Sequence, residues 1–261
     1  MGLQGLEITN EKGYKLHGFL ELPDDRTPER YALLAHCFTC NSNFNSMRTI
    51  SSTLAGQGFG VVRFDFTGLG RSEGRFSESH FTSNVGDLIS VARDMVEHHG
   101  KPELLIGHSL GGAAVIAAAA QLDYVKAIAT IGTPYSVDHV QQHFRLESAD
   151  ARGEEWQIHI GGRPFTINKQ FVEEMEKTDL HTLLNRLHKP ILFAHAPGDE
   201  IVPLAHAHQL YQSAKHPKSF LSLDSADHLL SKKSDAIYAA NVIAAWAERY
   251  LNDGSGMAGL L

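Results

Sequence analysis

The chain has 261 residues, of which 43% are apolar and 20% are charged, and its formal net charge is −7. These values are typical of a globular protein and exclude a disordered or collagen-like chain. Acidic residues outnumber basic ones, and the sequence contains no dense run of lysine and arginine. Because a nucleic-acid backbone is bound by concentrated positive charge, we expect no nucleic-acid partner.

The N-terminal segment and the longest apolar run bear on location in the cell. Residues 1–6 lack the basic start and the apolar stretch of a secretory signal. The apolar run from Leu110 to Ala120 has eleven residues, fewer than the roughly 18 that a membrane span requires. We therefore expect a cytoplasmic protein with no membrane partner.

Short apolar runs alternate with helical periodicity along most of the chain. An antiparallel hairpin is predicted at 6–9 and 15–22. Runs typical of strands buried on both faces follow at 31–35, 60–64, 103–106, 127–131, 191–194 and 219–223. Helices are predicted at 46–57, 85–99, 111–122, 205–214 and 231–251. This alternation predicts an α/β fold with a mostly parallel twisted sheet and helices on both faces. The last helix carries an apolar stripe of Ile237, Val242, Trp246 and Tyr250.

Residues 134–189 interrupt the alternation. They contain no run typical of a buried strand; instead, 156–160 and 164–167 predict an exposed hairpin, and polar helices such as 170–176 follow. We interpret this segment as a small lid inserted into a single domain over residues 1–251. Residues 252–261 contain three glycines and no apolar period, which predicts a flexible tail.

The segment Gly107-His108-Ser109-Leu110-Gly111 matches the pattern G-x-S-x-G between a predicted strand and a predicted helix. In that context a sharp turn projects the serine hydroxyl beyond the strand end. The start of the helix supplies free N–H groups and the positive end of the helix dipole, which favour developing negative charge. Ser109 is therefore the predicted nucleophile, and a purely structural turn is the alternative.

A serine nucleophile needs a base, and the base needs an acid that fixes its tautomer. Asp199 follows the predicted strand 191–194 and His228 follows the strand 219–223. This gives the chain order serine, acid, histidine that such a triad shows on an α/β sheet. Glu200 and Asp227 are competing acids. The remaining candidate histidines are interpreted as packed or solvated: His108, His195, His206 and His208.

Acyl transfer also requires N–H donors for the oxyanion of its transition state. We assign one donor to Leu110 and the other to Phe38, in the loop of residues 36–40 after the first parallel strand. The only two cysteines, Cys37 and Cys40, form a C-x-x-C in this loop, for which a redox pair or half of a zinc site is the alternative. A structural zinc site needs four ligands, and no second cysteine pair is present. We interpret the cysteines as small loop residues and expect no metal.

Several of these segments together resemble the α/β-hydrolase superfamily: the elbow around Ser109, the loop 36–40, the segment 63–74, and the acid and histidine segments. More narrowly, 36–40, 63–72 and 225–231 resemble the hydrolase half of proteins that fuse an α/β-hydrolase to an OsmC-like domain. The resemblance implies an α/β-hydrolase fold and a cytoplasmic carboxylic ester hydrolase that works without a cofactor. The resemblance covers only the hydrolase half, so we do not expect the peroxide-related role of the OsmC-like domain.

The stretch Gly68-Leu69-Gly70 after a predicted strand raises a dinucleotide-binding alternative. That fingerprint requires its third glycine at the position of Glu73, whereas Gly74 comes one residue later. We interpret the stretch instead as a tight loop shaped by Asp65 near the site.

The leading functional hypothesis is a serine carboxylesterase that hydrolyses small to medium carboxylic esters through an acyl-enzyme intermediate. Its partner is then a small-molecule ester, and Trp156 and Phe165 of the lid are candidate substrate-binding residues. The same triad could act on thioester, amide or carbon–carbon bonds, or transfer the acyl group, because this fold hosts all of these reactions. A non-catalytic binding scaffold is the third hypothesis. The sequence leaves the oligomeric state open.

Overall fold

A computed structural model describes residues 2–24, 26–37, 40–136, 148–149, 155–160 and 163–252. Within these ranges, the side chains of 148–149, 155–160, 163–165, 172, 175 and 176 are not described. The strands are β1 (Gly2–Thr9), β2 (Lys15–Leu22), β3 (Arg30–Ala35), β4 (Phe59–Phe64), β5 (Pro102–His108), β6 (Ala127–Ile131), β7 (Ser148–Ala149), β8 (Glu155–Ile160), β9 (Arg163–Asn168), β10 (Ile191–His195) and β11 (Lys218–Ser222). The predicted tail, apart from Asn252, lies outside the described residues.

Eight of these strands form one sheet in the order β1-β2-β4-β3-β5-β6-β10-β11. The pairs β1–β2 and β2–β4 are antiparallel, and the other five pairs are parallel. Successive side chains of a strand point to opposite faces. In β3, accordingly, Leu33 and Ala35 pack in one core cluster, while Ala32 and Leu34 pack in the other. Burial on both faces explains why the parallel strands show no alternation of polar and apolar residues.

Two layers of helices cover the sheet. The helices are α1 (Asn45–Gly56), α2 (Phe81–His98), α3 (Leu110–Ala119), α4 (Lys169–Lys177), α5 (Leu180–Leu187), α6 (Leu204–Ser213) and α7 (Lys233–Leu251). Buried side chains of α1 and α7 belong to one core cluster, and those of α2, α3, α5 and α6 belong to the other. The predicted α/β class, with a mostly parallel sheet between helical layers, is confirmed.

Two helices differ from their predictions. Helix α2 begins at Phe81, four residues earlier than predicted, because the His80 side chain accepts a hydrogen bond from the Ser83 N–H and caps the helix. In α7, the predicted stripe does not form the buried face, since Ile237 is 36% exposed. The buried face consists mainly of small residues, which permit close packing against α1: Ala236, Ala239, Ala240, Ile243, Ala244, Ala247 and Leu251.

The segment between β6 and β10 carries a small separate sheet. Strands β7, β8 and β9 pair in an antiparallel manner and do not join the central sheet. Helix α5, at the end of the segment, contributes Leu180, Leu184 and Leu187 to the core beside α3. The small sheet contacts the rest of the domain through the end of β9, where Asn168 Nδ2 donates to the Ser77 carbonyl at 2.8 Å. The exact limits of the lid remain a prediction.

Among the helices in the described ranges, none is long and apolar enough to cross a membrane. The longest, α7, has 19 residues and includes the charged side chains Lys233, Asp235, Glu248 and Arg249. The cytoplasmic location and the lack of a membrane partner remain predictions from the sequence.

Candidate active site

Ser109 lies at the sharp connection between β5 and α3. Its backbone has φ 54° and ψ −123°, a conformation that costs a non-glycine residue about 1–3 kcal/mol. The Ser109 N–H donates to the carbonyl of Ile131 at 2.8 Å, which ties the turn to the end of β6. The surrounding sheet therefore holds the strained turn, and strain of this kind concentrates at functional sites.

Close backbone packing explains the glycines of the elbow. A Cβ atom on Gly107 would collide with the backbone of Gly111, and one on Gly111 would collide with the carbonyl groups of Ala35 and His36. The start of α3 consequently lies directly against the end of β3 and the loop that follows it. This contact brings the two predicted oxyanion segments together.

His228 connects Ser109 to Asp199. Its Nε2 atom lies 3.1 Å from Ser109 Oγ, and its Nδ1 atom lies 2.7 Å from Asp199 Oδ2. With the proton on Nδ1, the ring donates to the carboxylate and its Nε2 lone pair accepts from the serine hydroxyl. The structure thus brings these three predicted residues together in the geometry that a serine nucleophile, base and acid require.

The Asp199 carboxylate is held in its ionised form. Its Oδ1 atom accepts hydrogen bonds from the N–H groups of Ile201 at 2.9 Å and Val202 at 2.8 Å. Burial by itself would raise the pKa of Asp199, but the hydrogen bond and charge interaction with His228, together with these N–H groups, outweigh it and lower the pKa. Of the competing acids, Glu200 is exposed and Asp227 accepts from the Ser231 N–H instead.

Three buried histidines surround this group. His195 Nε2 donates to the Val202 carbonyl at 2.8 Å, His36 Nδ1 to the Cys37 carbonyl at 2.7 Å, and His108 Nε2 to the His228 carbonyl at 2.7 Å. Burial lowers the pKa of all three and lowers that of His108 to about 3. They are therefore neutral at pH 7. A positive charge that forms on the His228 ring meets no neighbouring imidazolium.

The interpretation of His206 as a solvated residue is wrong. Its Nδ1 atom accepts a hydrogen bond from the Tyr135 N–H at 3.1 Å. This bond connects α6 to the chain that leaves β6. No local pattern indicates this bond, because the two residues are 71 positions apart.

Gly132 is a site residue that the sequence analysis missed. It follows β6 directly, has φ 57° and donates its N–H to the Ala194 carbonyl at 2.9 Å. A Cβ atom at this position would lie 3.2 Å from His228 Nδ1 and 3.4 Å from Asp199 Oδ2. The hydrogen bond between the His228 ring and the Asp199 carboxylate therefore packs against the backbone of Gly132, which has no side chain. A single glycine after a strand is too common to identify such a role from the sequence.

Of the two predicted oxyanion donors, Leu110 lies within the described residues and Phe38 does not. Leu110 is the first residue of α3, so its N–H has no partner within the helix, and it directly follows the nucleophile candidate. Phe38 lies outside the described residues, so its assignment remains a prediction. Its loop is closed by a disulfide between Cys37 and Cys40. The interpretation of these cysteines as merely small residues missed that bond.

The candidate substrate-binding residues belong to the small sheet. Trp156 lies on β8 and Phe165 on β9, which pair with each other, but their side chains are outside the described residues. A narrow cleft with about 10 Å³ of free volume lies beside the elbow. Its lining is mostly apolar and includes one amide: His36, Phe66, Leu69, Asn84, Leu110, Gly111 and Ala114.

The glycine-rich stretch after β4 forms a tight loop. The Asp65 carboxylate accepts from the N–H groups of Ser42 at 2.6 Å and Arg71 at 2.9 Å, and Ser72 Oγ donates to the Asp65 carbonyl at 2.6 Å. These bonds match the interpretation of Asp65 as the residue that shapes the loop. In the part of the chain that the structure describes, no cluster of histidine, cysteine or acidic side chains has the arrangement of a metal site.

Comparison with known proteins identifies the family. Residues 28–180 match the Hydrolase_4 family model, described as serine aminopeptidase, S33. The chain belongs to the Hydrolase_4 family. It is also similar to a solved esterase domain from Rhodothermus marinus, with 44% identity and a TM-score of 0.81; the match covers 96% of this chain and 99% of that one. The chain is therefore a hydrolase with the α/β-hydrolase fold.

Two more distant proteins are also similar to this Hydrolase_4 chain. Est1E of Butyrivibrio proteoclasticus, solved with bound ferulic acid, is 18% identical with a TM-score of 0.82; the match covers 94% of this chain and 98% of Est1E. The mitochondrial palmitoyl-protein thioesterase ABHD10 of Mus musculus is 27% identical over 213 residues, which is 74% of this chain and 68% of that protein. None of these descriptions mentions an OsmC-like domain, so that narrower resemblance remains a prediction.

Proposed function

We propose that this Hydrolase_4 chain is a serine carboxylesterase that hydrolyses small to medium carboxylic esters through an acyl-enzyme intermediate. The observation that carries the proposal is the continuous hydrogen-bonded series from Ser109 Oγ through His228 to Asp199, with distances of 3.1 and 2.7 Å. Each bond has the length that proton transfer or tautomer control requires.

In the acylation step, His228 Nε2 removes the proton of Ser109 Oγ as the oxygen attacks the ester carbonyl carbon. The carbonyl oxygen gains negative charge and lies toward the N–H of Leu110, at the positive end of α3. His228 then donates its Nε2 proton to the leaving alcohol. Ser109 retains the acyl group.

In the deacylation step, His228 Nε2 removes a proton from a water molecule, which attacks the acyl carbon. The tetrahedral intermediate collapses, Ser109 leaves with the proton from His228, and the carboxylic acid is released. The ionised Asp199 stabilises the imidazolium in both steps, and the neutral rings of His36, His108 and His195 add no repulsion to it.

One comparison supports an ester as the substrate. The R. marinus relative at 44% identity is described as an esterase domain. The restriction to small and medium esters rests on the short lid segment predicted at 134–189.

A second candidate function is thioester hydrolysis. It is favoured by the similarity to a palmitoyl-protein thioesterase, and it uses the same acyl-enzyme chemistry with a thiol as the leaving group. Rates on oxygen esters and thioesters with matched acyl groups, from acetyl to palmitoyl, discriminate between the two functions. The proposed function requires the higher kcat/KM on short oxygen esters.

Ser109→Ala tests the proposal directly. We expect release of nitrophenol from short acyl esters to fall by about 10⁴-fold or more in kcat, and labelling by a fluorophosphonate probe to disappear. The exposed Ser234→Ala is the matched control and should retain both properties. Retained turnover in folded Ser109→Ala protein would refute the assignment of Ser109 as the nucleophile. Failure of the probe to label folded wild-type protein would make a binding scaffold the better interpretation.

A further inference from the structure

A second, larger cleft lies on the sheet face that carries α1 and α7. Its volume is about 380 Å³, and it is open to solvent. Residues from β1, β2, β4, α1 and the segment after His228 line it: Leu3, Glu21, Asn45, Ser46, Arg48, Thr49, Ser52, Arg63, Leu230, Ser231 and Lys233. None of the residues of the proposed triad belongs to this lining.

A buried arginine forms the inner wall of the cleft. The Arg63 side chain is 3% exposed. Its Nη1 atom donates to the Ser42 carbonyl at 3.0 Å and to Asn43 Oδ1 at 3.1 Å, and its guanidinium lies 4.5 Å from the centre of the Phe19 ring. The Nε atom makes no hydrogen bond within the described structure, although Glu21 Oε2 lies 3.8 Å away. A buried guanidinium thus retains a donor for a ligand.

The side chains that line the cleft carry more positive than negative charge. The cleft is lined by three cationic side chains, Arg48, Arg63 and Lys233, and by one carboxylate, Glu21. That carboxylate is shared, because Glu21 Oε2 also accepts from Ser51 Oγ at 2.6 Å. Burial lowers the pKa of Arg63 and the like charge of Arg48 adds to the shift, whereas the carboxylates of Glu21 and Asp65 oppose it. A local excess of positive charge on a chain with a net charge of −7 indicates an anionic ligand.

The first two turns of helix α1 line the same cleft. The helix begins at Asn45, has no acidic residue in its first turn and receives no side-chain cap from Phe44. Its first N–H groups therefore lack the usual partner. Ser46, which is 2% exposed and lines the cleft, has an Oγ atom without a hydrogen-bond partner among the described residues. Buried polar atoms in folded proteins are nearly always paired.

We propose that this cleft binds a phosphate group, as inorganic phosphate or as the phosphate monoester of a small molecule. The phosphate oxygens accept hydrogen bonds from Arg63 Nε, Ser46 Oγ and the first N–H groups of α1, a combination of donors that suits a tetrahedral anion. Arg48 and Lys233 supply charge at the solvent side. The space beyond the phosphate position accommodates the remainder of a small ester. This site is independent of the proposed esterase activity.

Thermal unfolding of the intact chain measures the binding. Wild-type protein is titrated with inorganic phosphate and, separately, with glycerol phosphate, while sodium chloride keeps the ionic strength constant. A ligand that binds only the folded state raises Tm in a saturable manner. We expect saturation with at least one of the two probes. The probe with the higher affinity shows whether the site prefers free phosphate or a monoester.

Variants at exposed positions test the site without disturbing the core. We expect the double variant Arg48→Gln/Lys233→Gln to bind the effective probe roughly 100-fold more weakly, about tenfold for each charge removed. Arg75→Gln/Arg93→Gln removes the same total charge at exposed positions outside the lining and should bind like wild type. Ser46→Ala should weaken binding severalfold. The proposal is overturned if neither probe gives saturable stabilisation of the wild-type protein, or if the two double variants weaken binding equally.

Discussion

His108 Nε2 lies 2.7 Å from the carbonyl oxygen of His228, so the residue before Ser109 holds the backbone of the residue that faces Ser109. The two rings lie with their centres 5.1 Å apart. The bond requires the proton on Nε2, and Nδ1 has no partner among the residues that the structure describes. The buried ring has no acceptor for a second proton, and its pKa is lowered to about 3.

This lowered pKa predicts a pH dependence of stability. Below the ordinary pKa of 6.5 the unfolded chain binds a proton at His108, whereas the folded chain binds it only near pH 3. Stability therefore falls as the pH drops from 6.5 towards 3, by about 1.4 kcal/mol per pH unit from this one group. In His108→Gln, urea unfolding at a series of pH values should show a slope smaller by this amount. Equal slopes in His108→Gln and wild type would contradict the prediction, and the exposed His208→Gln serves as the control.

The contact between Gly132 and the His228–Asp199 pair predicts a specific loss of activity. In Gly132→Ala, the added methyl group lies 3.2 Å from His228 Nδ1. The alanine must also keep a positive φ, which is unfavourable for a residue with a side chain. We expect kcat to fall roughly 10- to 100-fold, because a small displacement of the base from the nucleophile is costly. Gly198→Ala is the matched control, since a Cβ atom there meets no atom within 4 Å. A normal kcat in Gly132→Ala would show that the imidazole tolerates the methyl group.

The disulfide predicts sensitivity to reducing agents. Cys37 and Cys40 close the loop that contains the predicted donor Phe38, and the Cys40 N–H donates to the Cys37 carbonyl at 3.1 Å. Reduction should lower kcat by roughly ten- to a hundredfold, because a mobile donor stabilises the oxyanion less well than a fixed one. The measurement compares kcat before and after treatment with a dithiol. Cys37→Ser/Cys40→Ser should match the reduced enzyme and show no response to the dithiol.

The choice among the three candidate acids is tested by amide substitutions. Asp199→Asn removes the charge and presents the wrong hydrogen-bonding group to His228 Nδ1, so kcat should fall by about 10⁴-fold. Glu200→Gln and Asp227→Asn should each change kcat by less than about threefold, since these carboxylates make no hydrogen bond to the His228 ring among the described contacts. A larger loss in Asp227→Asn than in Asp199→Asn would reassign the acid.

Features that depend on residues close together in the sequence could be predicted from it. Continuous apolar runs predict the buried parallel strands. Glycines at fixed spacing between a strand and a helix predict the elbow at Ser109. The start of α2 was predicted too late because a histidine, His80, caps it where serine or aspartate is usual. The stripe on α7 was misplaced because alanines, which give a weak hydrophobic signal, form the buried face.

By itself, the sequence determined the fold class, the elbow and the chain order of Ser109, Asp199 and His228, because local periodicity and turn chemistry are encoded over a few residues. Only the tertiary structure decided the distances within this group, since Ser109 and His228 are 119 positions apart and meet through strand order and register. The approach of Gly132 to their partner carboxylate and the cations gathered around Ser46 have the same origin. Distances between segments depend on how the whole sheet is assembled, and no local pattern contains them.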